Sequence, residues 1–303
     1  MAITAFTGAA TAVDAAPKRR SAVALVLLLP GLLYLALFFL VPLVSLVITS
    51  LQVPDPVQFG KFTNAFNWQT YADVIGQYHT QILRSFGFAL LATILALLFS
   101  YPLAYFIGVK ARRWPLLQGV MIVLVIAPFF ISFLLRTLAW KAILSDDGPV
   151  LTALKGLSLI GSDAHFTGTP AAVVFGLTYN FIPFMCLPLY TTLERLDIRY
   201  LEAGSDLYAS PFHTFRKITL PLSLPGIVSG TLLTFIPAAG DYVNASSEFL
   251  GGASSTMIGN VIQSNFLVQL NYPAAAALSI ILMVIILIIV SVYVKRSGTD
   301  DLV

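Results

Sequence analysis

Asp241 closes a long apolar run and is followed at once by Tyr242, in the stretch GDYVNASSEFLGGASSTMIGNVIQSNF, residues 240–266. A carboxylate beside an aromatic ring is a pairing suited to an organic cation. The acid offsets charge, and the ring face covers ammonium groups and methylenes. Asp241 lies sixteen residues past Pro225 (241 − 225), about 24 Å along a helix rising about 1.5 Å per residue. That is near the far end of a hydrocarbon core about 30 Å thick, where an acid is costly and marks function by default. The alternative is that the helix unwinds at Pro237 and Asp241 is simply wet. Glu248 follows in the same stretch, and Tyr179, Asn180 and Phe184 of an earlier apolar run are candidates to face the same path.

A second constellation is the insert LEAGSDLYASPFHTFRKITLPLSLPGI, residues 201–227. Leu193, Leu196, Tyr200, Ala203 and Leu207 recur every three or four residues and predict one apolar helical stripe. Glu194, Asp197, Arg199, Glu202 and Asp206 cover the rest. Ser210-Pro211 predicts a second helix, with Ser as N-cap and Pro at the first helical position; it is expected to stop against Pro221 and Pro225. The result is a helix–turn–helix whose apolar face needs cover. The bilayer surface or the bundle itself would supply it; so would another subunit.

The elements that must hold these residues are membrane helices. The 303 residues are 58% hydrophobic and 10% charged, with a mean hydropathy of +0.88, against about 25% charged in a soluble domain. Six apolar spans are predicted at about 22–48, 86–109, 116–138, 171–193, 224–245 and 274–294, each near the 20 residues a crossing requires. No β-barrel alternation is present, so the spans are helices that satisfy their own backbone groups. Prolines recur in or near them, at Pro30, Pro42, Pro102, Pro128, Pro183, Pro188 and Pro237. Ordinary membrane-helix tolerance explains them, and so does a bundle that must rock.

Residues 1–21 and 295–303 are expected to be cytoplasmic tails flanking one transmembrane domain, 22–294. With both tails inside, the inner segments carry twelve cations: Lys18, Arg19, Arg20, Lys110, Arg112, Arg113, Arg195, Arg199, Arg216, Lys217, Lys295 and Arg296. The outer side carries the other five of the 17, Lys61, Arg84, Arg136, Lys141 and Lys155, the bias that sets topology. The basic balance is therefore a matter of topology and not of nucleic-acid binding. The lone Cys186 permits no intramolecular disulfide, and the three histidines have no metal-ligand spacing. No G-x-x-x-x-G-K-[ST] phosphate loop is present, so the chain is not expected to hydrolyse ATP by that route or to act as an enzyme.

The segment "EAGSDLYAS…ITLPLSLPGI" resembles the loop of ABC-importer permease subunits, written E-A-A-x-x-x-G followed by I-x-L-P. The resemblance implies an all-α polytopic fold of type I importer architecture, with a coupling loop (194–223) seated in a cleft of a cytoplasmic ATPase. Its carriers would be Glu202, Ala203, Gly204, Asp206, Leu207, Tyr208, Ser210, Leu220 and Pro221. Gly204 replaces the second Ala, and Tyr208 stands where the family has Gly; Tyr takes a positive φ only under strain, so the turn is expected to be shaped differently here. The stretches SFLLRTLAWKAILSDDGP (132–149) and 240–266 resemble spermidine/putrescine-type permeases. Read structurally, Arg136 and Trp140 are an interfacial pair, a snorkelling guanidinium and a belt indole. The resemblance further implies a bacterial inner-membrane assembly: a second homologous permease, two ATPase copies that bind ATP and Mg, and an external polyamine-binding protein. The chain itself would bind no cofactor.

Overall fold

In the computed structural model, residues 22–55 and 61–297 are described; the expected tail 1–21 and residues 298–303 of the expected tail 295–303 lie outside them, and residues 295–297 continue the last helix. The chain divides after Leu46 into two compact units. The first holds most of a continuous helix, α1 (22–50), and the second everything that follows. A short antiparallel ribbon, β1 (Gln52–Pro54) and β2 (Phe62–Asn64), pairs Val53 with Thr63.

Helix α2 (Gln69–Arg113) is 45 residues long, about 67 Å at about 1.5 Å per residue. It is roughly twice the length a hydrocarbon core needs and starts 17 residues before the predicted span (86 − 69). Its buried stripe is small: Ala89, Ala92, Ala96 and Ala104 are all fully buried, spaced so that one face lets neighbouring backbones come close. Against that face pack α6 (Pro170–Arg195) and α9 (Leu224–Ala239). Val173, Leu177, Phe181 and Phe235 fill the seam between them. A second cluster joins α2 to α10 (Ile258–Leu267) and α11 (Tyr272–Ser297) around Val74, Ile258 and Leu278.

The third predicted span is not straight. It is α3 (Pro115–Phe130) followed by α4 (Phe133–Leu144) and α5 (Pro149–Gly156), with a 96° bend between α3 and the segment after it. Pro128 lacks the N–H that would continue the ladder; the chain tightens into a 3-10 turn at Ala127–Phe130, and Ile131 leaves extended. The fifth span is shorter than expected. α9 ends at Ala239, with Gly240 as C-cap, so residues 240–245 are not helical. Other prolines bend nothing sharply: Pro30, Pro102, Pro183 and Pro188 sit inside helices that continue, and Pro237 lies two residues before the end of α9. Where Pro42 and Pro221 follow, the preceding turn widens to π form, at Ala36–Leu40 and Phe215–Thr219. A wide turn gives the ring room beside the carbonyl it would otherwise strike.

Candidate functional site

The insert is two helices, α7 (Ile198–Asp206) and α8 (Pro211–Leu222), with α8 bent 65° from α9 at Ser223. α8 therefore runs past Pro221, beyond the expected stop, and breaks between the two prolines. The Ser210 side chain accepts from the His213 N–H at 3.3 Å, the cap the Ser-Pro pair predicts. Tyr208 has φ +54°, and the Ala209 N–H donates to the Gly204 carbonyl at 3.0 Å. This is a Schellman-type helix end with Tyr in the left-handed position that glycine usually takes, at a cost of about 1–3 kcal/mol for a non-glycine residue. Gly204 is buried; a Cβ there would lie 3.0 Å from the Thr214 hydroxyl, so its absence lets α7 close on α8.

The apolar stripe does not form one helix. α6 ends at Arg195 and Leu196 is extended, so Leu193 and Leu196 are buried in the bundle while the rest of the stripe turns away. Tyr200 is 56% exposed, Leu207 80% and Tyr208 98%. Ala203, Glu202 and Asp206 are exposed beside them, so nothing in the described chain covers this face. Leu220 packs under the insert against the cluster of Tyr101 and Leu193, and Pro221 is exposed. Glu202 also faces a cleft of about 430 Å³ that is lined by Lys110 and Arg113.

At the opposite end of α9, the chain that leaves the helix folds back on itself. Asp241 is buried, only 8% exposed. Its carboxylate accepts from the Asn244 backbone N–H at 2.8 Å and from the Asn244 side-chain amide at 3.1 Å. The Asn180 amide on α6 donates to the Asn244 oxygen at 3.1 Å and to the Thr137 hydroxyl on α4 at 3.2 Å. The structure thus joins Asp241 to Asn180 through Asn244, a residue that pattern alone did not single out. The helix does unwind after Pro237, yet the acid is not wet. Burial pushes its carboxyl up to about 6, against hydrogen bonds from Asn244 and the N–H groups of Val243 and Ala245 that hold it down.

The other path candidates lie apart from this network. Tyr242 is half exposed, and its carbonyl accepts from Asn260 at 2.6 Å. Tyr179 packs edge-on against Trp140 at 5.1 Å, and Phe184 sits against Phe129 and Phe181. Glu248 lines an open cleft of about 490 Å³ with Ser246, Thr256, Asn260 and Gln263. Trp140 is partly buried, and Phe175 also meets its ring edge-on at 4.8 Å. The Arg136 guanidinium lies over the Phe133 ring at 5.9 Å, with its Nε and one terminal nitrogen buried without a hydrogen-bond partner among the described residues.

Segment 240–257 is clamped from several elements. Lys141 of α4 donates to the Glu248 carbonyl at 2.7 Å, Arg84 of α2 to the Thr256 carbonyl at 3.2 Å, and Ser85 accepts from the Ile258 N–H at 2.6 Å. The glycine pair 251–252 serves packing: a Cβ on Gly252 would meet the Gly168 carbonyl at 2.6 Å. At Gly176 a Cβ would lie 2.5 Å from the Asn244 oxygen. Gly176→Ala is therefore expected to displace Asn244 and to destabilise the protein by about 1–3 kcal/mol, the usual penalty of overpacking. A lowered melting temperature in detergent checks this; an unchanged one would show that Asn244 can shift freely.

Solved structures of similar fold are known. The chain superposes on a bacterial ABC transporter that imports the acidic polysaccharide alginate with a TM-score of 0.67, at 18% identity, covering 93% of this chain and 97% of that one. On the MetNI methionine ABC transporter the TM-score is 0.54 at 16% identity, over 72% and 93%. The fold is that of an ABC-importer permease. More particularly, residues 20–296 match the model of the binding-protein-dependent transport system inner membrane component, and the chain belongs to that family. It is therefore a multi-pass inner-membrane subunit without catalytic chemistry of its own. It is 36% identical to the spermidine/putrescine transport system permease protein PotB of Salmonella typhimurium, covering 87% of this chain and 90% of that protein. The Escherichia coli PotB is 35% identical, over 87% and 94%.

Proposed function

We propose that the protein is one permease of an ATP-driven importer for polyamines of the spermidine and putrescine class. The observation that carries the substrate class is the similarity to PotB over most of both chains. The chemistry agrees: a buried carboxylate at Asp241 and a cleft bearing Glu248 suit a linear cation better than an anion. In this reading both termini are cytoplasmic, as the twelve-to-five division of Lys and Arg favours. The insert then faces a cytoplasmic ATPase, and the 240–257 segment faces an external polyamine-binding protein. A second homologous permease and two ATPase copies, which bind ATP and Mg, complete the assembly.

Closing of the ATPases on ATP would move the face of Tyr200, Ala203, Leu207 and Tyr208 and open the bundle outward. The substrate enters past segment 240–257, and hydrolysis resets the bundle. The test is ATP-dependent uptake of labelled spermidine into vesicles holding this chain with its genomic-neighbour ATPase, permease and binding protein. Saturable uptake supports the assignment. A complex that assembles and hydrolyses ATP but takes up no polyamine would overturn the substrate class and leave the importer.

A further inference from the structure

We propose that α2 is the lever that joins the insert to segment 240–257, and that Arg112 and Tyr101 are the positioning residues that attach the insert to it. This rests on the importer reading above.

The insert has two roots, and both are tied to this helix. At the first root, the Arg112 guanidinium donates to the carbonyls of Leu193 at 2.8 Å, Leu196 at 3.1 Å and Glu194. Its Nε donates back to the Gly108 carbonyl of α2. The last carbonyls of a helix lack intrahelical partners and carry a partial negative charge, so a planar five-donor cation fits the end of α6 as no ammonium can. Gly108 lets the helices meet there; a Cβ on it would stand 3.2 Å from the Glu194 nitrogen. Leu196 lies two residues before α7.

At the second root, Ser223 occupies the 65° break between α8 and α9. Its hydroxyl is 2.8 Å from the Tyr101 hydroxyl, and both residues are buried. Phe215 of α8 packs edge-on against the Tyr101 ring at 5.5 Å.

At its other end the same helix grips the start of α10 and the end of segment 240–257, through Ser85 on the Ile258 N–H and Arg84 on the Thr256 carbonyl. Between Ser85 and Arg112 the helix is continuous, widening to π form at Phe106–Lys110 and tightening to a 3-10 turn at Ala111–Arg113, so about 40 Å at about 1.5 Å per residue separates the two grips. The covalent continuations of the insert, α6 and α9, meet segment 240–257 through Asn180 and Gly240. They are the rival route, and the attachments to α2 separate the two.

The experiment uses the reconstituted complex with Tyr101→Phe, which removes only a hydroxyl, and Arg112→Lys, which keeps charge but not the fork. ATP hydrolysed per spermidine imported is measured alongside the distance between spin labels carried by Lys217→Cys and Ser247→Cys, both exposed positions, with and without a non-hydrolysable ATP analogue. We expect the ratio to rise about fivefold or more in each variant, the low end of ordinary coupling factors. We also expect the nucleotide-dependent distance change to shrink while the ATPase still co-purifies. If Arg112→Lys fails to assemble, Tyr101→Phe decides alone. An unchanged ratio and distance change would overturn the lever and leave α6 and α9 as the route. A wild-type complex that hydrolyses ATP without importing spermidine would count against the substrate assignment instead, and the label distances would still decide on α2.

Discussion

Asp241→Asn is expected to lower polyamine uptake at least tenfold at pH 7.5, about 1.4 kcal/mol of lost stabilisation. The carboxylate accepts two bonds from Asn244. An amide in its place offers one acceptor and turns a donor toward a donor, so the link to Asn180 loosens as the charge disappears. The wild type should also lose uptake on acidification. Burial raises the carboxyl from its ordinary 3.8 to about 6. The penalised species is the ion, so the charge that attracts a cation is present above about pH 6 and lost below it. The sign for stability is opposite: the cost of the buried ion is full above about 6, fades as pH falls, and is gone below 3.8. Uptake measured from pH 5 to 8 should therefore fall through about 6 in the wild type, while the residual uptake of Asp241→Asn stays flat. Parallel curves would assign the titration to another group.

Glu202→Ala, or deletion around Ala203, should abolish uptake with membrane insertion intact. Glu202 is exposed on α7, and exposed substitutions away from caps and networks usually change stability by no more than about 0.5 kcal/mol. Any large effect must then arise from what the face touches in the assembly. Uptake, co-purification of the ATPase and the melting temperature would be read together. Normal uptake at normal melting temperature would refute the coupling role, and a large drop in melting temperature would show that Glu202 supports the fold.

The helices were largely legible because a 3.6-residue period and about 20 apolar residues leave few other structures open in lipid. The Ser210 cap of the insert was legible for the same local reasons, but the turn was not: Tyr208 takes the left-handed conformation of the glycine it replaces, where a differently shaped turn was expected. Residues whose roles depend on distant partners were not legible. The edge-on contacts of Phe175 and Tyr179 of α6 with Trp140 join residues more than 30 apart in the chain and leave no mark in local pattern. Asn244 becomes a partner of Asp241 only because α9 stops at Ala239, and Gly240 was the available signal for that stop. The stripe from Leu193 to Leu207 has perfect periodicity but crosses the end of α6, where Arg112 takes up the carbonyls. Periodicity cannot see a helix end secured by a side chain more than 80 residues away in the chain.

Segment 240–257 also has a consequence for how this sequence can change over generations. Every single-nucleotide change in a glycine codon that does not stop translation or leave glycine adds at least a Cβ. At Gly251 that carbon would strike the Ala245 carbonyl, and at Gly259 it would lie 2.6 Å from the carbonyls of both Gly240 and Asp241. Neither position has a neutral first step, so neither the loop nor the first turn of α10, where Gly259 lies, can drift there by small moves. Divergence in what such a permease admits has to accumulate around these two fixed points, at positions such as Tyr242 and Glu248, whose side chains are free to vary.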